Sequence, residues 1–204
     1  MAAKPDALRY GKLGARAVHL CVDMQRLFAE DTPWHTPWMN RVIPVIAEIT
    51  AAHPQQTVFT RFIPIENAGE AAGAWRKYYE RWSSMTLESL GNDMVALVAE
   101  LARFVPPAVI FDKRVYSPWH GGKLHAHLRG RAVDSLVVSG GETDVCVLAT
   151  VLGAIDYGYR VVIATDALCS SSDETHDALL KLYEKRYGEQ VEAVTTETVL
   201  SQWA

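Results

Sequence analysis

The sequence predicts an α/β fold: a three-layer, doubly wound, six-stranded parallel sheet of order 3-2-1-4-5-6, in one domain spanning residues 1–204. Three observations carry that prediction. Short apolar runs rich in Val, Ile and Phe alternate with segments whose apolar residues recur at helical spacing. The runs are apolar at nearly every position, as strands covered on both faces are. Ionisable and nucleophilic residues stand at or just past the ends of those runs, where open sheets of this kind hold their ligands.

Taken in order, Ala15–Val22 is the first strand and ends at Asp23. A loop rich in Trp and Pro covers Asp31–Trp38. Val42, Ile43, Val45, Ile46 and Ile49 make Asn40–Ala52 an amphipathic helix, which His53-Pro54 ends. Thr57–Phe62 is the second strand, closed by Pro64. Glu66–Ser84 is aromatic and charged, and reads as a loop and a short helix. Asn92–Phe104 reads as a further amphipathic helix, stopped by Pro106-Pro107. Ala108–Asp112 is the third strand, with Lys113 at its end. A loop with Ser117, Pro118, Trp119 and His120 leads to a short helix through Leu124 and Leu128. Ser135–Ser139 is the fourth strand and Asp144–Tyr157 its helix, apolar nearly all round and capped by Gly158. Arg160–Thr165 is the fifth strand. Ser171-x-x-Glu174 resembles a capping box for the helix through Tyr183. Val191–Thr195 is a weaker sixth strand, and Thr196–Trp203 a terminal helix.

Composition excludes several function classes. Apolar residues make up 49% and charged residues 22%, with a net charge of -4, so neither nucleic acid nor a membrane surface is an expected partner. No run approaches the roughly 20 apolar residues of a membrane helix. Met1–Tyr10 has no apolar segment of the kind a secretory leader carries. Three widely spaced cysteines, Cys21, Cys146 and Cys169, do not make a disulfide scaffold, which favours a reducing cytoplasm. The 7 His form no zinc-type spacing, and His125 and His127 face different ways on their helix.

The fourth run is the most informative. Leu136-Val137-Val138-Ser139 stops at Gly140-Gly141, a polar turn follows, and a helix opens with Cys146 in its first turn. The N–H groups and dipole of a helix start favour thiolate over thiol. The opposing reading is a buried structural cysteine. In the assumed strand order Asp23 and Cys146 flank the central crevice, and Lys113 is long enough to lean in. A carboxylate, an amine and a thiol therefore converge.

Three stretches, Val22-Asp23-Met24-Gln25, Asp112-Lys113-Arg114-x-x-Ser117-x-Trp119 and Gly140-Gly141-Glu142-Thr143-Asp144-Val145-Cys146-Val147, resemble the isochorismatase-like cysteine hydrolases. That group includes nicotinamidases, N-carbamoylsarcosine amidases, and ureidoacrylate and biuret amidohydrolases. The resemblance covers roughly residues 15–200. It implies an Asp23–Lys113–Cys146 triad, a cis peptide at Gly141–Glu142 and a homo-oligomer. Chemistry supports the triad independently. Free Cys titrates near ~8.5 and Asp near ~3.9, so direct proton transfer is uphill by about 6 kcal/mol and needs help. Lys113 and the helix start are expected to stabilise the thiolate. Asp23 would take the thiol proton, Cys146 would attack an amide-type carbonyl, and backbone N–H groups of Glu142 and Cys146 would hold the oxyanion.

Departures narrow the choice. Metal-binding nicotinamidases carry an Asp-x-His…His cluster after the second strand, but Thr60-Arg61-Phe62-Ile63-Pro64 stands here, so neither metal nor cofactor is expected. Isochorismatases proper lack the nucleophilic Cys. What remains is hydrolysis of a linear C–N bond in a small amide, ureido or carbamoyl substrate. Arg61 is expected to hold a substrate carboxylate, with a surface ion pair as the plainer alternative. Gln25, Tyr116 and Trp119 are further expected substrate contacts, and Trp34, Trp75 and Trp82 candidate pocket walls. Cys169 is expected near the rim and Cys21 in the core. Two other classes stay open: a non-catalytic ligand-binding or assembly subunit, and a nucleotide-binding domain using Gly140-Gly141 as a phosphate turn, though no G-x-G-x-x-G is present.

Overall fold

The computed structural model describes residues 7–204; most of the leaderless stretch expected at Met1–Tyr10 lies outside them. Six strands form one sheet: β1 (Ala17–Val22), β2 (Thr57–Phe62), β3 (Val109–Lys113), β4 (Ser135–Gly141), β5 (Arg160–Cys169) and β6 (Val191–Val194). Their order is β3-β2-β1-β4-β5-β6, with every pairing parallel. Helices α1 (Arg26–Ala29) and α2 (Met39–Ala52) follow β1, and α3 (Ala74–Arg81), α4 (Leu87–Leu90) and α5 (Ala99–Ala102) follow β2. One helix then follows each later strand: α6 (Lys123–Gly130), α7 (Leu148–Asp156), α8 (Asp173–Arg186) and α9 (Thr196–Gln202).

The period-2 geometry of a strand explains why the runs are apolar throughout. Ala17, Cys21, Phe59, Val137 and Val162 point to one face, where Val42, Ile46 and Ile49 of α2, Leu101 of α5 and Val199 of α9 cover them. Val18, Leu20, Val22, Val58, Leu136 and Ile163 point to the other, against Leu124 and Leu128 of α6, Val151 and Ala154 of α7 and Tyr183 of α8. Each fully buried Val, Leu or Ile stabilises the fold by roughly 1.5–3 kcal/mol. His19 interrupts the first face. It is fully buried, with Nε2 2.7 Å from Ser139 Oγ and Nδ1 3.3 Å from Thr57 Oγ1. Burial, helped by His53, pushes its pKa down to about 3.

Four local expectations change. Asn92–Phe104 is not one helix: a 3-10 turn at Asn92–Val95 and the short α5 are separated by an extended link. In that link Val98 N–H donates to Met24 O, so pairing with the chain after β1 outcompetes helix continuation. The helix after β4 begins as a π-helical turn, Thr143–Val147, before α7. It is buried on one side only, with Leu148, Leu152 and Ile155 partly exposed. The cap of α8 is Ser172, whose side chain accepts from Thr175 N–H, one residue later than the Ser171 pattern suggested. Cys169 ends β5 fully buried against Gly141, not on a rim loop, because β5 runs on four residues past Thr165 to pair with β4.

Candidate active site

The C-terminal ends of the strands bring the three predicted groups together. Asp23 is the first residue past β1 and adopts φ 49°, a left-handed conformation that Asp tolerates better than most residues. Its N–H donates to Thr60 O at 3.2 Å, and its Oδ1 accepts from Thr60 Oγ1 at 2.6 Å. Lys113, the last residue of β3, places Nζ 2.6 Å from Asp23 Oδ2 and 3.4 Å from Cys146 Sγ. Nζ also donates to Val115 O at 3.2 Å and lies 5.2 Å from the centre of the Phe62 ring. The Lys113 and Asp23 side chains are 4% and 1% exposed, so this is a buried ion pair.

Cys146 sits in the π-helical turn after β4 and is 6% exposed. Gly140 makes that approach possible: at φ 105° it lies against the backbone of Val22, and an added Cβ would collide with the Val22 carbonyl. The Gly141–Glu142 peptide is cis. Val145 and Val147 N–H groups both donate to Glu142 O, at 3.1 and 3.0 Å. Behind the turn, Thr143 Oγ1 donates to Cys169 O at 3.1 Å and lies 2.8 Å from His176 Nδ1. A hydroxyl has one proton, so His176 Nδ1 must be the donor to Thr143.

The electrostatics correct one expectation. Burial and the Asp23 charge push the Cys146 thiol well up, and Lys113 only partly offsets them. For Lys113, burial pulls the pKa down, but the charges of Asp23 and Cys146 outweigh it and the net shift is upward. Burial and the neighbouring carboxylate thus oppose ionisation of the thiol, while Lys113 favours it.

Above Cys146 opens a cavity of about 330 Å³, walled by Phe28, Trp34, Phe62, Tyr78, Trp82 and Tyr116. Glu142, His35 and Ser171 supply its polar edge. These residues follow the ends of β1 to β5, which is why one cavity gathers them. Of the predicted substrate contacts, Tyr116 lines it and three do not. Gln25 is fully buried, and its amide is taken by the backbone: Nε2 donates to Phe62 O and Val95 O, and Oε1 accepts from Phe62 N–H at 2.6 Å. Arg61 pairs bidentately with Asp112, both contacts 2.8 Å, because β2–β3 register sets the two side by side. Trp119 packs into a notch at Gly153, with Nε1 donating to Thr150 O at 2.9 Å. Trp34 and Trp82 are in the wall, while Trp75 stands behind it against Tyr116, ring centres 4.9 Å apart. His120 lines a different, more open depression, with Asp112, Lys113 and Lys123.

Sequence reasoning missed Thr60, Phe28, Phe62 and Tyr78. Thr60 was recoverable, since parallel β1–β2 register carries it opposite the end of β1. The rings carry no such signal. Among the described residues, no three His, Cys, Asp or Glu side chains converge on a possible metal position.

Known proteins share this arrangement of elements. The family profile of the isochorismatase domain matches residues 17–196. An uncharacterised isochorismatase family protein of Bacillus subtilis, YwoC, is 34% identical over 110 residues, 51% of this chain and 57% of that protein. Maleamate amidohydrolase of Pseudomonas putida is 26% identical over 103 residues, 50% of this chain and 47% of that protein. The chain thus spans about half the length of the curated relatives it matches. A solved cysteine hydrolase from Pseudomonas syringae pv. phaseolicola superposes with a TM-score of 0.83 at 25% identity, covering 98% of this chain and 97% of that one. N-carbamoylsarcosine amidase from Thermoplasma acidophilum gives 0.70 at 20% identity over 88% of this chain and 96% of that one, a likeness of fold.

Proposed function

Because the chain belongs to the isochorismatase family of hydrolases, we propose that it is a cysteine-dependent hydrolase of a non-peptide C–N bond in a small amide, ureido or carbamoyl compound. One observation supports the reading: Lys113 Nζ lies 2.6 Å from Asp23 Oδ2 and 3.4 Å from Cys146 Sγ, and Cys146 lines a cavity of about 330 Å³.

The chemistry follows from the charges. In water, moving the thiol proton to a carboxylate costs about 6 kcal/mol. Here Lys113 Nζ touches both partners, 2.6 Å from Asp23 and 3.4 Å from Sγ. As the proton moves from sulfur to Asp23, negative charge moves from carboxylate to sulfur, and the ammonium stays paired throughout. The transfer need not break an ion pair, and no free thiolate has to accumulate. Sulfur attacks the carbonyl carbon, and the N–H groups of Glu142 and Cys146 hold the oxyanion. Asp23 then gives its proton to the leaving nitrogen as the C–N bond breaks, leaving a thioester on Cys146. A water that yields its proton to Asp23 attacks the thioester, and the acid and the thiol are released. A non-catalytic binder has no use for an ammonium held against both a carboxylate and a thiol.

Ammonia release from a panel of amides and ureido compounds tests this. Cys146→Ala should fall to background while keeping its fold by circular dichroism, and Asp23→Asn should lose about 10²–10⁴-fold in rate. Turnover by the Ala variant would remove the mechanism.

A further inference from the structure

The lining of the cavity says which acyl groups it accepts, an inference that rests on the amide-hydrolase reading. Six aromatic rings form the wall, and Trp34 contacts several of them: Phe28 at 6.1 Å between centres, Phe62 at 5.9 Å and Tyr78 at 5.8 Å. No Arg or Lys side chain lines the space, among the described residues. Arg61, at the end of β2, is paired with Asp112, and Lys113, which also reaches Cys146 Sγ, is paired with Asp23. The one acidic side chain in the lining is Glu142, whose Oε1 accepts from Ser171 N–H at 3.0 Å. Burial pushes the phenols of Tyr78 and Tyr116 up, so both present neutral hydroxyls to an amide.

We propose that this cavity selects an uncharged amide bearing a flat, apolar acyl group and rejects one whose acyl group carries a carboxylate. A carboxylate entering it would lose water, meet no Arg or Lys of the lining, and face Glu142 across the apolar space. A flat apolar group would be covered by rings on several sides. The proposal separates this chain from a relative such as maleamate amidohydrolase, whose named substrate bears a carboxylate.

Matched probes test it: 4-methylbenzamide against 4-carboxybenzamide, and (Z)-but-2-enamide against maleamate. Wild-type protein is assayed by ammonia release, and the Cys146→Ala variant by quenching of its tryptophan fluorescence on binding. The neutral member of each pair should be favoured roughly a hundredfold in kcat/KM and in binding. Glu142→Gln should narrow that ratio several-fold. Equal or better turnover of the carboxylate probes by wild type would overturn the selectivity while leaving the hydrolase intact. Preferential binding of neutral probes by Cys146→Ala, with no ammonia released by wild type, would support the selectivity and overturn the thioester reading. Tighter binding of the carboxylate probes, or binding of neither kind, would overturn the selectivity.

Discussion

Replacing Lys113 with Met tests whether the buried ion pair beside Cys146 is as demanding as its geometry implies. Met keeps most of the aliphatic stem against Phe62 and removes only the ammonium. The Asp23 carboxylate, 1% exposed, would then keep Thr60 Oγ1 on one oxygen and nothing charged on the other. Breaking a buried pair from one side typically costs about 3–5 kcal/mol, because the remaining charge is stranded. In a chain of 204 residues that corresponds to roughly 6–20 °C in Tm. The loss is read from urea denaturation, as a lower midpoint at unchanged slope. Asp23→Asn should be destabilising by a similar mechanism, and the Asp23→Asn/Lys113→Met double variant should recover much of the loss, giving a coupling of the kind seen between contacting residues. Single-variant losses under about 1 kcal/mol, or a double variant that merely adds them, would refute the claim that burial makes this pair mutually dependent.

Other perturbations follow from the same structure. His19 is held neutral, its pKa pushed down to about 3 by burial, so between pH 6.5 and 3 the unfolded chain binds a proton that the folded chain does not. Stability should therefore fall as pH drops through that window, by about 1.4 kcal/mol per unit from this residue. His19→Gln should flatten the slope by about one proton; identical slopes in the two proteins would contradict the assignment. Arg61→Ala removes an exposed ion pair with Asp112, so it should cost about 0–1 kcal/mol and change kcat/KM less than twofold. A large rise in KM there would return Arg61 to the substrate site.

How much of this was legible in the sequence depends on what each signal encodes. Strands buried on both faces announce themselves, so the runs at Thr57–Phe62 and Arg160–Thr165 were recognised, with the extension of β5 to Cys169 hidden in a less apolar tail. The convergence of Asp23, Lys113 and Cys146 was legible because each ends or follows a strand, and strand ends are fixed by topology. Gln25, Arg61 and Trp119 were misplaced for one shared reason: residue type says what a side chain can bind, not what its neighbours already offer. Backbone groups of Phe62 and Val95 saturate Gln25, register gives Arg61 to Asp112, and the glycine notch at Gly153 takes Trp119. The thiol shows the same limit. A helix start and a lysine pointed to a lowered pKa, but burial and the neighbouring carboxylate outweigh both. The aromatic wall is marked only in part: Tyr78 and Trp82 are four apart on α3 and its cap, but no spacing links them to Phe28 and Trp34 after β1.

The most direct measurement is intact-mass analysis of the wild-type protein quenched in acid during turnover of an amide that releases ammonia. The account predicts a species heavier by the acyl group, mapped by peptide digestion to Cys146 and absent from Cys146→Ala. Turnover with no acylated species at any quench time, or an acyl group mapped to a residue other than Cys146, would contradict it.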